Sequence, residues 1–358
     1  MLRIAATSLA ALWITVLSAG GEQSEKTMTA HFIEVGQGHA SLLEFPCGAM
    51  LVDAGAASAA DDRLVEYLDD FFAERSDLHK TLDLVLITHN HLDHTQALMK
   101  VASRFQIKKF IDNGWTKGSG APQTNALKQQ VKAKKLKTQV RSVSDKQITA
   151  LPAKTGLTND FIDPFDCADI DPVVRVLSGS MDTNPGWSAA DFKDANNHSL
   201  MTRVDFGDGS ILFLGDAEVP ATDLLLDYYN GADANILDVD VLQVSHHGSN
   251  NGTSPQLVAA VTPKVAIVPV GHWSDGRKPP RQFSTFAYGH PNLLTLQALD
   301  AVMDRERGEA LEVMAGTSAK HFKKAIVSKA IYATDWDGTI RVRVGSDGSL
   351  RVTRAHAH

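Results

Sequence analysis

The sequence Thr88-His89-Asn90-His91-Leu92-Asp93-His94 follows directly on an apolar run at residues 82–87. The apolar run is typical of a short buried strand, and residues 95–104 have the pattern of a helix. The polar stretch therefore lies in a turn where a strand leads into a helix, the kind of loop that often carries chemistry. A solvated polar turn is the plain alternative, but three histidines and an aspartate so close together favour a metal site.

Four side chains of this turn suit a pair of metal ions. Residues two apart in an extended turn point to the same side, so His89 and His91 can bind one cation while Asp93 and His94 turn towards a second. Neutral imidazole and carboxylate are ligands that zinc prefers, with iron and manganese as alternatives. The stretch therefore predicts a divalent-metal site.

Composition narrows the class of protein. The chain has 358 residues, of which 43% are hydrophobic and 22% charged, as in ordinary globular proteins. Its formal net charge of -7 argues against a protein that wraps nucleic acid over its whole surface, although a local basic stripe is still compatible. The two cysteines, Cys47 and Cys167, allow at most one disulfide, so the metal ligands must be histidines and carboxylates.

The N-terminal residues have the pattern of an export signal. Arg3 gives a basic start, residues 4–17 are apolar, and small residues at 18–20 form a cleavage site. We therefore expect a signal peptide and polar leader over residues 1–27, with export to the periplasm or the medium. The apolar stretch is too short for a comfortable membrane span, and no later segment approaches the ~18 apolar residues that a span needs. The alternative is a cytoplasmic chain that starts at Met28.

The two halves of the chain repeat one plan. In each half a strand pair ends in an aspartate, Asp53 or Asp216, a helix follows, and a further strand leads to histidines. Such a duplication predicts an α/β protein with two sheets packed face to face and helices outside, whose strand-end loops meet at one edge. The predicted strands are residues 40–45, 49–52, 82–87, 199–206, 210–214, 239–244, 265–270, 330–332, 339–344 and 349–352, and the predicted helices are residues 61–74, 95–104, 221–229 and 293–305.

One segment departs from this plan. Residues 115–171 are predicted to form an insertion in a single domain that covers residues 28–355. Within the insertion, residues 128–137 are basic and helix-prone. A solvated helical face is the first interpretation of this stripe, Lys128 to Lys137, and a contact with the phosphate backbone of DNA is the second.

Several motifs carry a resemblance to a known family. The stretch from His89 to His94 matches the HxHxDH signature of the metallo-β-lactamase superfamily. Further motifs resemble the C-terminal hydrolase domain of the competence DNA-uptake protein ComEC and its stand-alone relatives, over roughly residues 29–352. These motifs are residues 32–38, 196–200, 214–218, 244–249, 288–291 and 334–339. The resemblance implies the αββα four-layer sandwich of that superfamily, in agreement with the duplication.

The resemblance also implies the ligands of two divalent ions, expected to be Zn²⁺ with Mn²⁺ or Fe²⁺ as alternatives. Asp216 would bridge the two ions, because two dications about 3.5–4 Å apart repel each other unless an anion lies between them. His198 is preferred to Asn197 as the third ligand of the first ion, because asparagine is a poor zinc ligand. The implied ligands are His89, His91 and His198 for the first ion and Asp93, His94 and His247 for the second, with His246 as the alternative to His247.

Other residues are predicted to support or complete the site. His39 stands where relatives usually have aspartate, and it is either a surface histidine or an additional site group. Asp53 is expected to support the site by hydrogen bonding rather than to bind metal. Asp93 and His290 are the predicted catalytic residues; His290 would contact substrate or donate a proton to the leaving group, with His272 or metal-bound water as alternatives.

The reaction that the resemblance implies is hydrolysis by a dinuclear metal centre. Two dications lower the pKa of the water between them, which makes a bridging hydroxide available as nucleophile at neutral pH. Phosphodiester bonds, in a small molecule or a nucleic acid, are the expected substrate. The alternatives are a lactam, lactone or phosphocholine-ester hydrolase of the same fold and a non-catalytic, metal-stabilised binding protein. The sequence makes no prediction of the oligomeric state.

Overall fold

The computed structural model describes residues 26–232, 235–271 and 287–355. Its strands are β1 (Thr27–Phe32), β2 (Ser41–Phe45), β3 (Gly48–Val52), β4 (Thr81–Leu86), β5 (Gln106–Asp112), β6 (Gln139–Ser142), β7 (Val173–Ser178), β8 (Met201–Phe206), β9 (Gly209–Phe213), β10 (Val241–Gln243), β11 (Val265–Val268), β12 (Glu306–Ser318), β13 (His321–Lys329), β14 (Ile331–Ala333), β15 (Ile340–Gly345) and β16 (Leu350–Arg354).

The described α-helices are α1 (Arg63–Glu74), α2 (Leu92–Thr95), α3 (Leu98–Arg104), α4 (Ala121–Lys132), α5 (Asp145–Thr149), α6 (Val219–Tyr229), α7 (Pro255–Val261), α8 (Leu293–Asp300) and α9 (Thr334–Asp337). Short 3-10 helices occupy Ser76–Leu78, Asp191–Lys193, Asn196–His198 and Ser245–Gly248.

Two mixed sheets form the centre of the protein. The first has the strand order β16-β15-β1-β2-β3-β4-β5-β6, and the second has the order β14-β11-β10-β9-β8-β7. In both sheets an antiparallel half continues into a parallel half, which begins with β3 beside β4 and with β9 beside β10. The strands of the parallel halves are buried almost without interruption, as expected where both faces of a sheet are covered.

The layers follow from the alternation of side chains along each strand. In β3, Met50 belongs to the buried cluster between the two sheets, whereas its neighbour Leu51 belongs to the cluster under the outer helices. Leu64 of α1 and Leu98 of α3 pack into that outer cluster. Leu225 of α6 and equivalent residues of α7 and α8 pack against the second sheet. The predicted αββα sandwich is therefore confirmed.

Most predicted elements are present with small shifts of their ends. The helix predicted at residues 95–104 is divided into α2 and α3, and the helix predicted to end at residue 305 ends at Asp300. The hairpin of β12 and β13 was not predicted, because its sequence mixes charged and apolar residues without regular alternation. It forms a separate two-stranded sheet.

The segment of residues 115–171 contributes to the first sheet. It contains α4, β6 and α5, and β6 pairs in parallel with β5, with Phe110 opposite Val140. The segment also carries Cys167, which forms a disulfide with Cys47 in the turn between β2 and β3. The disulfide ties an edge of that turn to the loop that leads into β7, and the Phe45 and Phe165 rings pack beside it, 4.5 Å apart.

Two predictions fall on residues outside the described ranges. The first is the signal peptide and leader, since residues 1–25 make up nearly all of it. The second is His272 as an alternative proton donor. Among the helices that the structure describes, none combines the length and the hydrophobicity that crossing a bilayer requires.

Candidate metal centre

The candidate site lies at the edge where the central strands of both sheets end. Asp53 follows β3 and His89 follows β4, while Asp216 follows β9 and His247 follows β10. Gly215 allows the two halves to approach each other: its φ is +57°, and a β-carbon on it would lie 2.8 Å from Cβ of Thr88. A larger residue at Gly215 would therefore push Asp216 away from the histidines.

Four side chains converge at this edge. One ligand atom from each of Asp93, His94, Asp216 and His247 lies within 4.8 Å of all the others. Asp216 Oδ1 is 3.2 Å from His94 Nε2, and Asp216 Oδ2 is 3.1 Å from His247 Nε2. Asp93 Oδ2 is 3.4 Å from the same His247 nitrogen. Two ligands of one tetrahedral zinc ion, each about 2.05 Å from it, lie about 3.3 Å apart, so these separations fit a shared cation.

Several candidate ligand atoms have no hydrogen-bond partner in the protein. Nε2 of His89, His94 and His247 and Oδ1 of Asp216 are buried without a hydrogen-bond partner. A buried polar atom left unsatisfied costs about 1–3 kcal/mol, and native proteins keep such atoms rare. Three of these atoms belong to the converging group of His94, Asp216 and His247, which fits the coordination of metal at this edge.

The opposite nitrogen of each buried imidazole is held by the protein. Nδ1 of His94 is 2.7 Å from Asp53 Oδ2, and Nδ1 of His247 is 2.6 Å from the carbonyl oxygen of Pro269. Both partners are acceptors, so each ring donates from Nδ1 and presents Nε2 to the cluster. Such contacts fix the orientation and the tautomer of metal-binding histidines.

The electrostatics of the cluster also favour cations. Burial opposes the charged form of His94, but the attraction of Asp216 and Asp53 outweighs burial and holds the pKa of His94 well above its ordinary value. For His247, burial likewise lowers the pKa, yet Asp216 and Asp93 raise it to about 10. Buried carboxylates therefore impose a negative potential that a proton or a metal ion can neutralise.

Asp53 anchors the base of the site. Its fully buried carboxylate accepts hydrogen bonds from the Thr88 amide at 2.7 Å and the Thr88 hydroxyl at 2.8 Å. Nδ1 of His39 and Nδ1 of His94 lie 2.9 Å and 2.7 Å from its Oδ2. Burial alone would raise the pKa of Asp53, but the two histidines hold it well below its ordinary value. Asp53 thus lies behind the cluster and orients His94.

His39 is fully buried, so its interpretation as a surface histidine is wrong. Its Nε2 lies 2.7 Å from Ser41 Oγ, and its Nδ1 is occupied by Asp53. Although one atom of each of His39, Asp53 and His94 falls within 4.8 Å of the others, both imidazoles already bond the same carboxylate oxygen. The three residues therefore form a hydrogen-bonded support for the cluster.

The first ion would have a less complete set of ligands. The His89 and His91 rings lie with their centroids 4.8 Å apart, and His91 lines the pocket. His198 does not join them. Its Nδ1 accepts a hydrogen bond from the Met181 amide at 3.1 Å, and its Nε2 donates to the carbonyl oxygen of Phe192 at 2.9 Å.

The ring of His198 also stacks on Trp115, with centroids 3.7 Å apart. With both ring nitrogens occupied by the backbone, His198 has no atom free for a metal, so the geometry contradicts its predicted role as a ligand. Asn197 is equally committed: its side chain bonds Asp191 and the Glu218 amide.

Asn196 is the residue that the sequence reasoning missed. It lines the same pocket as His91 and Asp216, and its Oδ1 is buried without a hydrogen-bond partner. Its amide nitrogen donates to Glu218 Oε1 at 3.1 Å, so only the side-chain oxygen is left to bind a cation. The motif at residues 196–200 marked the correct segment, but chemical preference pointed to His198 within it.

His246 and His247 point in different directions. Both have left-handed backbones, with φ of 49° and 52°, a conformation that costs a non-glycine residue about 1 kcal/mol or more. His247 enters the cluster, whereas Nδ1 of His246 lies 3.0 Å from Asn251 Oδ1 and 3.4 Å from Glu218 Oε1. Of the two, His247 is the one in position to bind metal.

A pocket of about 420 Å³ opens above the cluster. His290 lines it, is 8% exposed, and has an Nδ1 without a hydrogen-bond partner. Its ring stacks on His247 with centroids 6.2 Å apart. Burial and the neighbouring His247 and His246 lower the pKa of His290 to about 3. His290 is therefore placed for contact with a bound substrate and carries no charge near pH 7.

Comparison with known proteins agrees with this arrangement. Residues 33–272 match the family model described as "Metallo-beta-lactamase superfamily". Recombination protein 2 of Haemophilus influenzae is 38% identical over 84 residues, which are 24% of this chain and 10% of that protein. Competence protein ComA of Neisseria gonorrhoeae is 27% identical over 138 residues, which are 36% of this chain and 17% of that protein. The chain thus spans only a small part of the length of these relatives.

Solved structures of low sequence identity are also similar to parts of this chain. The metallo-beta-lactamase fold protein YhfI from Bacillus subtilis is 12% identical with a TM-score of 0.37, and the match covers 69% of this chain and 87% of that one. Igni18, a metallo hydrolase from Ignicoccus hospitalis, is 13% identical with a TM-score of 0.41, and the match covers 76% and 91%.

Proposed function

The chain belongs to the metallo-beta-lactamase superfamily and is a metal-dependent hydrolase, and we propose that it cleaves phosphodiester bonds with two divalent ions. The observation that carries the proposal is the convergence of Asp93, His94, Asp216 and His247 below an open pocket. In this proposal those four residues would hold the second ion. His89, His91 and Asn196 would hold the first, and the carboxylate of Asp216 would serve both.

The chemistry of the donor set supports zinc as the metal. Imidazole and carboxylate groups suit Zn²⁺, and Mn²⁺ or Fe²⁺ are the alternatives. When bound, two such ions supply hydroxide at neutral pH and draw electron density from the bond that is cleaved. The protein side chains orient these groups: Asp53 holds His94, and the Pro269 carbonyl holds His247.

The lining of the pocket supports a phosphate ester as substrate. Gln37 and Ser119 offer amide N–H and hydroxyl donors beside the cluster. Neutral donors of this kind can bond phosphate oxygens as charge shifts during cleavage. The names of the relatives, Recombination protein 2 and Competence protein ComA, support DNA as the phosphodiester. In this proposal His290 also contacts the bound ester.

We expect the metal-loaded protein to hydrolyse bis-p-nitrophenyl phosphate and single-stranded DNA with a kcat/KM at least about 100-fold above that for nitrocefin or a lactone. Protein stripped with EDTA and refilled with zinc, manganese or iron serves as the control, because activity must return with the metal. Efficient cleavage of nitrocefin or a lactone with no action on phosphodiesters contradicts the substrate class. Metal binding without any turnover indicates a binding protein instead.

The disulfide supports a second proposal, that the chain is exported. Cys47 and Cys167 are joined across two distant parts of the sequence, and structural disulfides persist mainly in oxidising compartments. The basic start and apolar residues 4–17 are consistent with this route. Mass spectrometry of the protein from its native cells should find a mature start near Gly21 and no free thiol before reduction. A chain that starts at Met28 in the cytosol, with both cysteines open to alkylation, contradicts export.

A further inference from the structure

The hairpin of β12 and β13 lies at the rim of the metal pocket. Gly316 near its tip donates a backbone hydrogen bond to the Pro291 carbonyl at 2.8 Å. The contact with Gly289 is so close that a β-carbon on Gly289 would lie 2.6 Å from the carbonyl oxygen of Ser318. Tyr288 and His290, on either side of Gly289, both line the pocket. The tip of the hairpin therefore borders the pocket.

The returning strand is basic although the chain as a whole is acidic. Residues 319–329 contain four lysines and no aspartate or glutamate, against a net charge of -7 for the whole chain. Lys324 and Lys329 are paired with glutamates of β12. Lys320 and Lys323, at the tip, are exposed and have no acidic partner within the described part of the chain. The free positive charge of the hairpin is thus concentrated beside the pocket.

Lys320 occupies a turn position that usually selects another residue. Its φ is 66°, a left-handed conformation for which two-residue hairpin turns favour glycine or asparagine. Lysine makes this turn slightly less stable than glycine or asparagine would, which is consistent with a functional role for its charge at the tip. Lys323 lies opposite Ala315 in the register and is exposed, so the charges of both lysines are available at the tip.

Exposed apolar side chains accompany these charges. The large apolar residues that stand mostly exposed within residues 26–232, 235–271 and 287–355 all lie in this region: Tyr288 (57%), Leu294 (63%), Met314 (52%) and Ile326 (65%). The Tyr288 ring stacks on His290 with centroids 5.8 Å apart. It is therefore an aromatic surface, next to the cluster, on which a nucleobase can stack.

We propose that the hairpin and Tyr288 form a docking surface for single-stranded nucleic acid. Lys320 and Lys323 bind successive phosphates, Tyr288 stacks on a base, and the strand passes into the metal pocket. Alternating phosphate and aromatic contacts are the usual way in which proteins bind single strands without sequence preference, and bases in a duplex are not available for such stacking. The inference rests on the proposed phosphodiesterase function, because the docked nucleic acid is proposed to be cleaved in the metal pocket.

An anionic membrane is the other partner that lysines and exposed apolar residues fit. A nucleic acid is favoured because the charged tip and Tyr288 adjoin the metal pocket, and a single strand can contact all three. A flat bilayer can contact the tip but cannot enter the pocket. The second basic surface, residues 128–137, is less well placed. Helix α4 begins beside the pocket residue Ser119, so Lys132 at its end lies about 16 Å along the helix from the pocket.

The test measures binding separately from cleavage. Fluorescence anisotropy with a labelled phosphorothioate oligothymidylate, which resists hydrolysis, is recorded over a range of salt concentrations for the full, zinc-loaded chain. The double variant Lys320→Gly/Lys323→Gln should bind about 5- to 20-fold more weakly, and the slope of log K against log salt should fall by about 1.4, because two phosphate contacts are lost. Glycine suits the left-handed φ at position 320, so the variant should fold normally.

A charge-matched variant and two further readouts decide the outcome. Lys132→Gln/Lys135→Gln should keep the wild-type slope; an equal loss in that variant overturns the proposal, since the effect would then reflect net charge or the helix. Tyr288→Leu should weaken binding by about 5-fold or more. Binding of phosphatidylserine vesicles that depends on Lys320 and Lys323, with no binding of the oligonucleotide, also overturns it.

Turnover of bis-p-nitrophenyl phosphate separates this inference from the proposed function. That small ester does not reach the hairpin, so the Lys320→Gly/Lys323→Gln variant should retain its kcat/KM while its KM for single-stranded DNA rises. Oligonucleotide binding that depends on the hairpin, in a protein with no phosphodiesterase activity, supports docking and refutes the function. Active enzyme whose oligonucleotide affinity is unchanged in the variant refutes docking alone.

Discussion

Asp216→Ala is expected to lower kcat/KM for bis-p-nitrophenyl phosphate by about 10³-fold or more, since metal ions contribute several kcal/mol to such reactions. The two carboxylate oxygens of Asp216 face different histidines, His94 and His247, at 3.2 and 3.1 Å. Alanine removes the carboxylate whose negative charge would offset the repulsion between two bound dications. Metal analysis should accordingly find close to two ions in the wild-type chain and one or fewer in the variant.

The matched control is Asp208→Ala, which removes a carboxylate from an exposed turn between β8 and β9. It should keep both the metal content and the activity of the wild type. An Asp216→Ala protein that retains two ions and full turnover contradicts the dinuclear site. A wild-type protein that binds one ion tightly and a second weakly indicates that Asn196 completes the first site poorly, because asparagine is a weak zinc ligand.

Asp53→Ala is expected to destabilise the protein by about 3 kcal/mol or more, because it leaves buried donors unsatisfied. The donors are the amide and hydroxyl of Thr88 and Nδ1 of His39 and His94. Asp53 also has a φ of 59°, which aspartate tolerates better than alanine does. Asp53→Asn keeps that tolerance but removes the charge and replaces one acceptor oxygen by an amide donor. In the folded fraction of either variant, zinc affinity should fall by about 10- to 100-fold, because His94 loses its orientation.

Urea unfolding and zinc titration measure the two effects separately, and Asp337 offers the matched control. Asp337 is also buried and accepts a hydrogen bond from Arg307 at 2.7 Å, but it lies outside the metal centre. Asp337→Asn should therefore lower the free energy of unfolding and leave zinc affinity unchanged. If Asp53→Asn likewise changes stability alone, Asp53 has no part in orienting the metal ligands.

The sequence by itself was sufficient for the architecture and for much of the candidate site. The duplicated order of strand pair, helix and strand predicted two sheets, and each parallel strand must end at the same edge as its neighbours. Asp53, His89, Asp216 and His247 lie within four residues of the ends of such strands, so their proximity follows from topology. The positions of short motifs at strand ends can be predicted from sequence, because the preceding strand determines where their residues lie and in which direction the chain runs.

Contacts between distant segments decided the rest. Chemical preference favoured His198 over its asparagine neighbours, but the Met181 amide and the Phe192 carbonyl occupy both of its ring nitrogens, and Asn196 faces the pocket instead. His39 could be recognised as buried only once Asp53 and Ser41 were seen around it. The sequence shows that a histidine could bind a metal. Whether its ring nitrogen is free to do so depends on which hydrogen-bonding groups the fold brings within about 3 Å of it. These contacts join residues that are distant in the sequence, so they are decided by the tertiary structure and cannot be read from a local sequence pattern.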